Sequence, residues 1–467
     1  MMMSQTSKQP HTGSFRDPAG FLFTENGILY RQINQIGFDD YFKLMESGLY
    51  QDLIQAELLI PHEEITQYQP DSPPPHLIIK PQKVNFISYP YEWCFSQLKH
   101  AALLTLEIQR RALQQGMSLK DCSAYNIQFH KGKPILVDTL SFEQYREGEP
   151  WTAYRQFCQH FLGPLALIAY SDVRLNQLLR TNIDGIPLDL TSELLPWKTR
   201  LNFSLYIHIH LHAKSQRKYA DQGIDQDQNR RQIQKHQLLG LVGSLETSIK
   251  KLSWKASQTD WSDYVEFHNY SQTASNHKKA LVSDYLTQIN PQNVWDLGAN
   301  TGEYSRLASN RGPYTIAFDV DPGAVEINYL QTVKDGQNNL LPLILDLTNP
   351  SPGLGWAHQE RQSLLERGPV DAILALALIH HLAISNNLPF EHIATYLSHH
   401  CRWLIIEFVP KEDPQVKRLL RVRKDIFTDY NQNQFTEQFK KNFDIISHQQ
   451  INETDRMLYL MKKRSNT

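Results

Sequence analysis

From residue 281 to the end of the chain, hydrophobic positions fall in short unbroken runs separated by stretches of helical spacing. The runs "NVWDLG", "YTIAFDV", "LLPLILDL", "VDAILALAL" and "RWLIIEFV" predict strands, and "EYSRLASN", "PGAVEINYLQTV" and "PFEHIATYLSHH" predict helices between them. Strands apolar on both faces, alternating with helices, imply a parallel sheet covered on each side: the doubly wound α/β architecture. Such sheets bind ligands at the carboxyl ends of their strands, near the point where strand order reverses. The tail "FDIISHQQINETDRMLYLMKK" reads as two further strands around a polar turn.

Residues 14 to 213 have a different texture. Strand-like runs ("GILYRQI", "HLIIKP", "NFISYP", "KPILVD") are mixed with longer helical stretches, an α+β pattern. The helix in "SQLKHAALLTLEIQRRALQQG" carries Leu98, Ala101, Ala102, Leu104, Leu106 and Ile108 and stops at Gly116. Residues 214 to 237 hold almost no apolar side chain and cannot build a core, so they are expected to link two domains. A helical lead-in over 238 to 280 then precedes the second domain, 281 to 467.

A chain of 467 residues has room for two such domains. Lys plus Arg number 47 against 49 Asp plus Glu, a net charge of −2, so no global field draws nucleic acid or a membrane surface. Cys94, Cys122, Cys158 and Cys401 are widely separated, without CxxC or zinc-like spacing, which suits a reducing compartment and predicts neither disulfide nor metal. The polar start "MMMSQTSKQPHTGSFRDP" has no signal-peptide core, and the longest apolar run, "FCQHFLGPLALIAY", is too short and interrupted to cross a bilayer. The expectation is a soluble cytoplasmic protein.

In "VWDLGANTGEYS", Asp296 ends the first predicted strand, Gly298 permits a tight turn, Asn300 lies within it, and Gly302 opens the next helix. The spacing is D-x-G-x-x-x-G, not the G-x-G-x-x-G of dinucleotide sites, and no Gly-Lys-Ser/Thr follows. An acid at this turn suits an ammonium better than a diphosphate. Asp319, ending the second strand, can accept ribose hydroxyl hydrogens, and Asp346, ending the third, can reach an adenine amino group.

This constellation resembles the class I S-adenosylmethionine-dependent methyltransferases over about residues 264 to 463. The resemblance implies that Asp296, Gly298, Asn300 and Gly302 lie against the methionine part of S-adenosyl-L-methionine, Asp319 against its ribose and Asp346 by its adenine. It also implies a closing β-hairpin. His380 and His381, after the fourth strand, stand where that family places acceptor-facing residues, and either imidazole can act as general base near neutral pH. Glu407, ending the fifth strand, is a third catalytic candidate, able to bind a cation or orient a histidine. No Asn/Asp-Pro-Pro-aromatic motif and no cysteine stands at this position, which favours O-methylation or methylation of a small-molecule amine. Residues 411 to 439 are expected to cover the acceptor pocket, with Tyr430 and Arg421 or Arg423 as contacts; Tyr270 and Lys278 can close over the cofactor.

In the first domain, "LKDCSAYNIQFHKGKPILVDTLSFE" sets Asp121 five residues before Asn126, then a strand-turn-strand leads to Asp138. This resembles the catalytic loop of protein-kinase-like and aminoglycoside-phosphotransferase-like folds, implying that Asp121 orients a hydroxyl while Asn126 and Asp138 hold magnesium. The chain departs from that pattern in lacking a Gly-rich phosphate loop and a glycine after Asp138; Lys80 and Arg31 are the candidates for the strand cation. The whole is similar to two-part bacterial methyltransferases of the nodulation-related group. The alternatives left open are a phosphotransferase using the first domain and a non-catalytic binding protein.

Overall fold

A computed structural model describes residues 9–65, 77–213, 232–256, 270–421 and 424–465. The chain divides into two compact units, Met1–Trp254 with Gly353–Arg361, and Lys255–Pro352 with Gln362–Thr467. Most of the expected linker, and part of the lead-in that follows it, lie outside the described residues.

Unit 1 begins with a five-stranded antiparallel sheet, β1 (Gln9–Pro10), β2 (Gly20–Glu25), β3 (Ile28–Ile33), β4 (His62–Glu64) and β5 (Leu77–Pro81), in the order β1-β2-β3-β5-β4. Asn26 and Gly27 join β2 to β3 with φ of 52° and 76°, the left-handed pair a two-residue hairpin requires. Helix α1 (Phe95–Gln114) buries the apolar stripe anticipated from its spacing, and Gly116 follows it at φ 75°. Two short hairpins follow: β6 (Met117–Leu119) pairs with β9 (Phe142–Gln144), and β7 (Ile127–His130) with β8 (Lys133–Leu136).

The run "NFISYP" is not a strand. The Ser88 N–H donates to the Gln128 Oε1 (2.8 Å) and the Gln128 Nε2 donates back to the Ser88 carbonyl (3.0 Å), so a side-chain amide replaces the ladder and leaves this stretch irregular. A helix over Lys235–Lys251, α2, also belongs to unit 1.

Residues 353–361 join unit 1 although they fall between strands of unit 2. Arg16 grips Glu360 with two bonds of 2.8 Å, Thr12 donates to the Gln359 carbonyl, and the Arg361 guanidinium lies 4.4 Å from the Tyr125 ring centre.

Unit 2 is a seven-stranded sheet, β10 (Asn293–Leu297), β11 (Tyr314–Asp319), β12 (Leu340–Ile344), β13 (Val370–Ala375), β14 (Cys401–Phe408), β15 (Phe443–Gln450) and β16 (Met457–Lys463). The order is β12-β11-β10-β13-β14-β16-β15. The first five strands are parallel, and the closing hairpin inserts β16 antiparallel against β14. The sequence runs one way from β10 to β12 and the other from β13, so the switch point lies between β10 and β13. Helix α3 (Gln272–Ile289) packs Leu281, Val282, Tyr285 and Leu286 into the core; α4 (Glu303–Ser309) follows β10, α5 (Pro322–Lys334) follows β11, and α6 (Phe390–His400) precedes β14. Two helices, α7 (Pro414–Leu420) and α8 (Gln432–Lys440), stand between β14 and β15. Among the described residues no helix is long and apolar enough to cross a membrane.

Candidate functional site

The turn after β10 is built by backbone bonds that side chains cannot replace. The N–H groups of Gly298 and Ala299 both donate to the Phe318 carbonyl (2.9 Å each), tying the turn to β11. Gly298 has φ 74° and Gly302 φ 83°; a Cβ on Gly302 would lie 2.3 Å from the Asn328 Oδ1. Arg306 locks the same corner, donating to Asn328 (2.7 Å), to the Thr301 carbonyl (2.8 Å) and to the Gly302 carbonyl (3.1 Å). Sequence reasoning missed Arg306 and Asn328, since an arginine on a helix and an asparagine on the next carry no spacing signal.

Asp296 is buried at the end of β10, and its Oδ2 accepts the Ser305 hydroxyl at 2.6 Å. Burial, helped by the nearby Asp319, pushes its carboxyl up to about 6 against the Ser305 bond and the Lys278 charge. Asp319 ends β11. Its Oδ2 accepts the Asn300 N–H (2.7 Å) and its Oδ1 the Asp321 N–H (2.9 Å). Burial also pushes Asp319 up to about 6, against those backbone bonds. Each of its oxygens keeps a lone pair for a further donor. Asp346, beyond β12, is exposed, with Oδ1 accepting the N–H and hydroxyl of Thr348. The turn 296–302 and Asp319 are thus one hydrogen-bonded unit at the switch point, while Asp346 stands at the end of the neighbouring strand.

His380 and His381 follow β13, at the start of a π-helical turn over His381–Ser385, with ring centres 4.2 Å apart. His380 is buried, and its Nδ1 has no hydrogen-bond partner. Burial lowers it well below the usual histidine value, reinforced by His381 and Arg456, and burial pushes His381 down to about 4. Both rings are therefore neutral at neutral pH.

Glu407, near the end of β14, is fully buried. Its carboxylate already holds the chain's own cations: Lys278 Nζ at 2.6 Å and an Arg456 nitrogen at 3.2 Å, with the Tyr270 hydroxyl also donating to it. Burial alone would raise Glu407; Lys278 and Arg456 outweigh it and hold the group down to about 2. Arg456 donates further to the Tyr270 hydroxyl (2.6 Å) and to both Asp413 oxygens (2.7 and 3.1 Å). The Lys278 ammonium sits 5.0 and 4.8 Å from the ring centres of Tyr270 and Tyr304. Tyr270 and Lys278 thus fasten the start of α3 to the end of β14 through Glu407. Arg456, at the foot of the hairpin, was missed because its partners are far away in sequence.

Of the expected cover residues, Tyr430 is buried with its hydroxyl donating to the Val409 carbonyl (2.6 Å), Arg421 is exposed, and Arg423 lies outside the described residues.

In unit 1, Arg31 of β3 reaches Asp138 Oδ1 at 2.5 Å and lies 3.6 Å from Asp17, while Lys80 pairs with Glu63 at the surface. Asp138 accepts the Leu140 N–H and the Ser141 hydroxyl (2.9 Å each), and the Asn126 amide also reaches Ser141, at 3.4 Å. Asp121 stands apart from that pair, accepting from the Ser123 N–H and Gln156.

No protein-family model matches the chain. It is 34% identical over 462 residues to nodulation protein NoeA of Rhizobium meliloti (strain 1021), a match covering 97% of this chain and 95% of that protein. The chain belongs to the NoeA family. Solved structures to which this NoeA-family chain is similar include magnesium protoporphyrin IX methyltransferase from Synechocystis PCC 6803 with bound SAH (15% identity, 44% of this chain and 95% of that one, TM-score 0.32). Others are the N-methyltransferase NodS from Bradyrhizobium japonicum WM9 (11%, 42% and 99%, 0.32) and the bifunctional kinase-methyltransferase WbdD (14%, 41% and 40%, 0.29). These likenesses are partial, and the chemistry of the site is read from its own geometry.

Proposed function

We propose that unit 2 is an S-adenosylmethionine-dependent methyltransferase acting on a hydroxyl or amine of a small molecule. One observation carries the reading: the glycine turn after β10 is hydrogen-bonded to the acid that ends β11, at the switch point of the sheet. The residues fit the cofactor. Gly298 and Gly302 give the turn its left-handed corners, Asp296 suits the ammonium, and Asp319 keeps acceptor capacity for ribose hydroxyls. Asp346 has a second oxygen to offer the adenine amino group. When bound, the cofactor supplies an electrophilic methyl carbon whose bond to sulfur breaks with the electron pair left on sulfur.

The chain's own residues do the rest. Backbone and carboxylates align the donor, and alignment alone supplies much of the acceleration in a displacement of this kind. A neutral imidazole of His380 or His381 receives the acceptor's proton. The Lys278–Glu407–Arg456 cluster keeps a fixed charge arrangement beside that base.

Unit 1 supports a scaffold role in place of phosphotransfer. Arg31 supplies at Asp138 the positive charge that a magnesium ion would bring, and Asn126 and Asp138 converge on Ser141. Label from methyl-labelled S-adenosylmethionine should therefore enter the low-molecular-weight fraction of a cell extract with the wild type and with Asp138→Ala, but not with Asp319→Ala. Equal transfer by Asp319→Ala sinks the methyltransferase reading; MgATP binding that disappears in Asp138→Ala restores the phosphotransferase.

A further inference from the structure

Exposed apolar side chains are ordinary when scattered singly, but five large ones fall within residues 194–211 of unit 1. Leu194 ends the helix Leu188–Leu194, and Trp197 and Leu201 bound a 3₁₀ turn. Phe203 opens the short helix Phe203–Leu205, and Leu211 ends the π-helical turn Tyr206–Leu211. Trp197, Leu201 and Phe203 are 68, 73 and 78% exposed, so most of each side chain stands in water.

A fixed frame holds them there. The buried His210 ring links two segments, with Nδ1 2.7 Å from the Ser192 hydroxyl and Nε2 3.0 Å from the Thr199 hydroxyl. Thr199 also donates to the Pro196 carbonyl at 2.7 Å. Leu194, Trp197, Leu201 and Leu211 each stand within two residues of one of those three side chains. Asn202 caps the next turn, its Oδ1 accepting the N–H groups of Ser204 (3.1 Å) and Leu205 (3.2 Å), and Phe203 is the exposed first residue of that turn. The usual pattern is inverted: polar Thr199 and His210 are buried, while indole, phenyl and leucine side chains are exposed.

The charges around the patch have one sign. From Leu194 to Ala213 the chain carries Lys198 and Arg200 and no acid, with Glu193 at its edge. Both cations are exposed, and among the described residues neither has an ion-pair partner. The whole chain has a net charge of −2, so this excess is local. Interfaces between proteins are depleted of lysine, whereas Lys198 directly follows the exposed Trp197. Apolar and aromatic side chains interleaved with cations match the headgroup boundary of an anionic bilayer, where the rings bury apolar area and the cations meet lipid phosphates.

We infer that unit 1 docks through Trp197, Leu201 and Phe203 on a membrane surface rich in anionic lipid, with Lys198 and Arg200 facing the phosphates. Among the described residues no helix is long and apolar enough to cross a membrane, so the contact is with the surface.

Co-sedimentation of the full-length chain with vesicles tests this, using phosphatidylcholine alone and an equal mixture of phosphatidylcholine and phosphatidylglycerol. The expected result is sedimentation with the mixed vesicles, weaker with phosphatidylcholine alone and reduced by salt. Lys198→Ala combined with Arg200→Ala should bind the mixed vesicles roughly twenty- to thirtyfold more weakly, about fivefold for each cation lost. Trp197→Ser combined with Phe203→Ser should weaken binding to both kinds of vesicle by at least about tenfold. All four positions are exposed, so both double variants should melt as the wild type does. No sedimentation with the mixed vesicles, or undiminished binding by either double variant, overturns the inference. So does a lipid-free chain that is dimeric by light scattering and becomes monomeric with Trp197→Ser and Phe203→Ser, since a second copy would then cover the patch.

Discussion

At the residue scale, two carboxylates and two imidazoles set the pH behaviour of the site. Asp296 and Asp319 are pushed up to about 6, so they take up protons in the folded, ligand-free protein at mildly acidic pH. A cofactor ammonium and ribose hydroxyls bind the ionised forms, so affinity for S-adenosylmethionine should fall as pH drops below about 6. His381, at about 4, stays neutral through that window. A pH profile should accordingly show KM for the cofactor rising below pH 6 while kcat at saturation holds; kcat falling with a midpoint at the ordinary histidine value would show that the base is not one of these buried rings.

Gly302 and Glu407 test the frame around that chemistry. Gly302→Ala places a Cβ against Asn328 at a left-handed φ, and should cost about 1–3 kcal/mol in a denaturant melt. Glu407→Ala leaves Lys278 buried without its counter-ion and should cost about 3–5 kcal/mol, whereas Lys278→Met combined with Glu407→Met should cost less than the single change. A double variant worse than Glu407→Ala would show that the pair is not the unit described. The acids at the strand ends were legible because each ends an apolar run. The partners that decide their behaviour were not: Ser305, Arg306 and Arg456 are ordinary polar residues until the fold brings them to Asp296, the glycine turn and Glu407.

At the element scale, unit 2 was legible nearly strand by strand, because a parallel sheet covered on both faces demands continuous apolar runs. The closing hairpin also appears where alternating positions flank a polar turn. "NFISYP" misled because Phe86 and Tyr89 are buried as strand residues would be, while the backbone bonds go to Gln128, a solution no local pattern announces. Helix α5 carries its own test: Asp321 is its N-cap, accepting the Gly323 N–H at 2.7 Å, and its charge raises Asp319. Asp321→Ala should cost about 1 kcal/mol of stability and move the acid limit of cofactor binding to lower pH. Stability lost with that limit unmoved would separate the cap from the site.

At the scale of the whole molecule, the two units should answer acid differently. Unit 1 holds the half-buried His62 and the buried His160 and His208, which desolvation pushes down to about 4, 3 and 4. Their unfolded forms take up protons that the folded forms refuse, so the stability of unit 1 should fall as pH drops from about 6.5 toward 4. In unit 2, Asp296 and Asp319 work the other way. Their folded forms bind protons between about 6 and 4, offsetting part of the cost of His380 and His381. Scanning calorimetry should show an acid-sensitive transition belonging to unit 1 and a less sensitive one belonging to unit 2; equal sensitivity would contradict the buried neutral histidines. Residues 353–361 gave no warning in the sequence that they belong with unit 1, since Glu360 and Arg361 find their partners in Arg16 and Tyr125 only through the fold.

The central claim is that the turn 296–302 and Asp319 form a site for S-adenosylmethionine, and calorimetric titration of the full-length chain at pH 7.5 tests it most directly. Saturable binding is expected for the wild type and at least about tenfold weaker binding for Asp319→Ala, the loss of one charge-assisted hydrogen bond. No binding by the wild type, or undiminished binding by the variant, would contradict it.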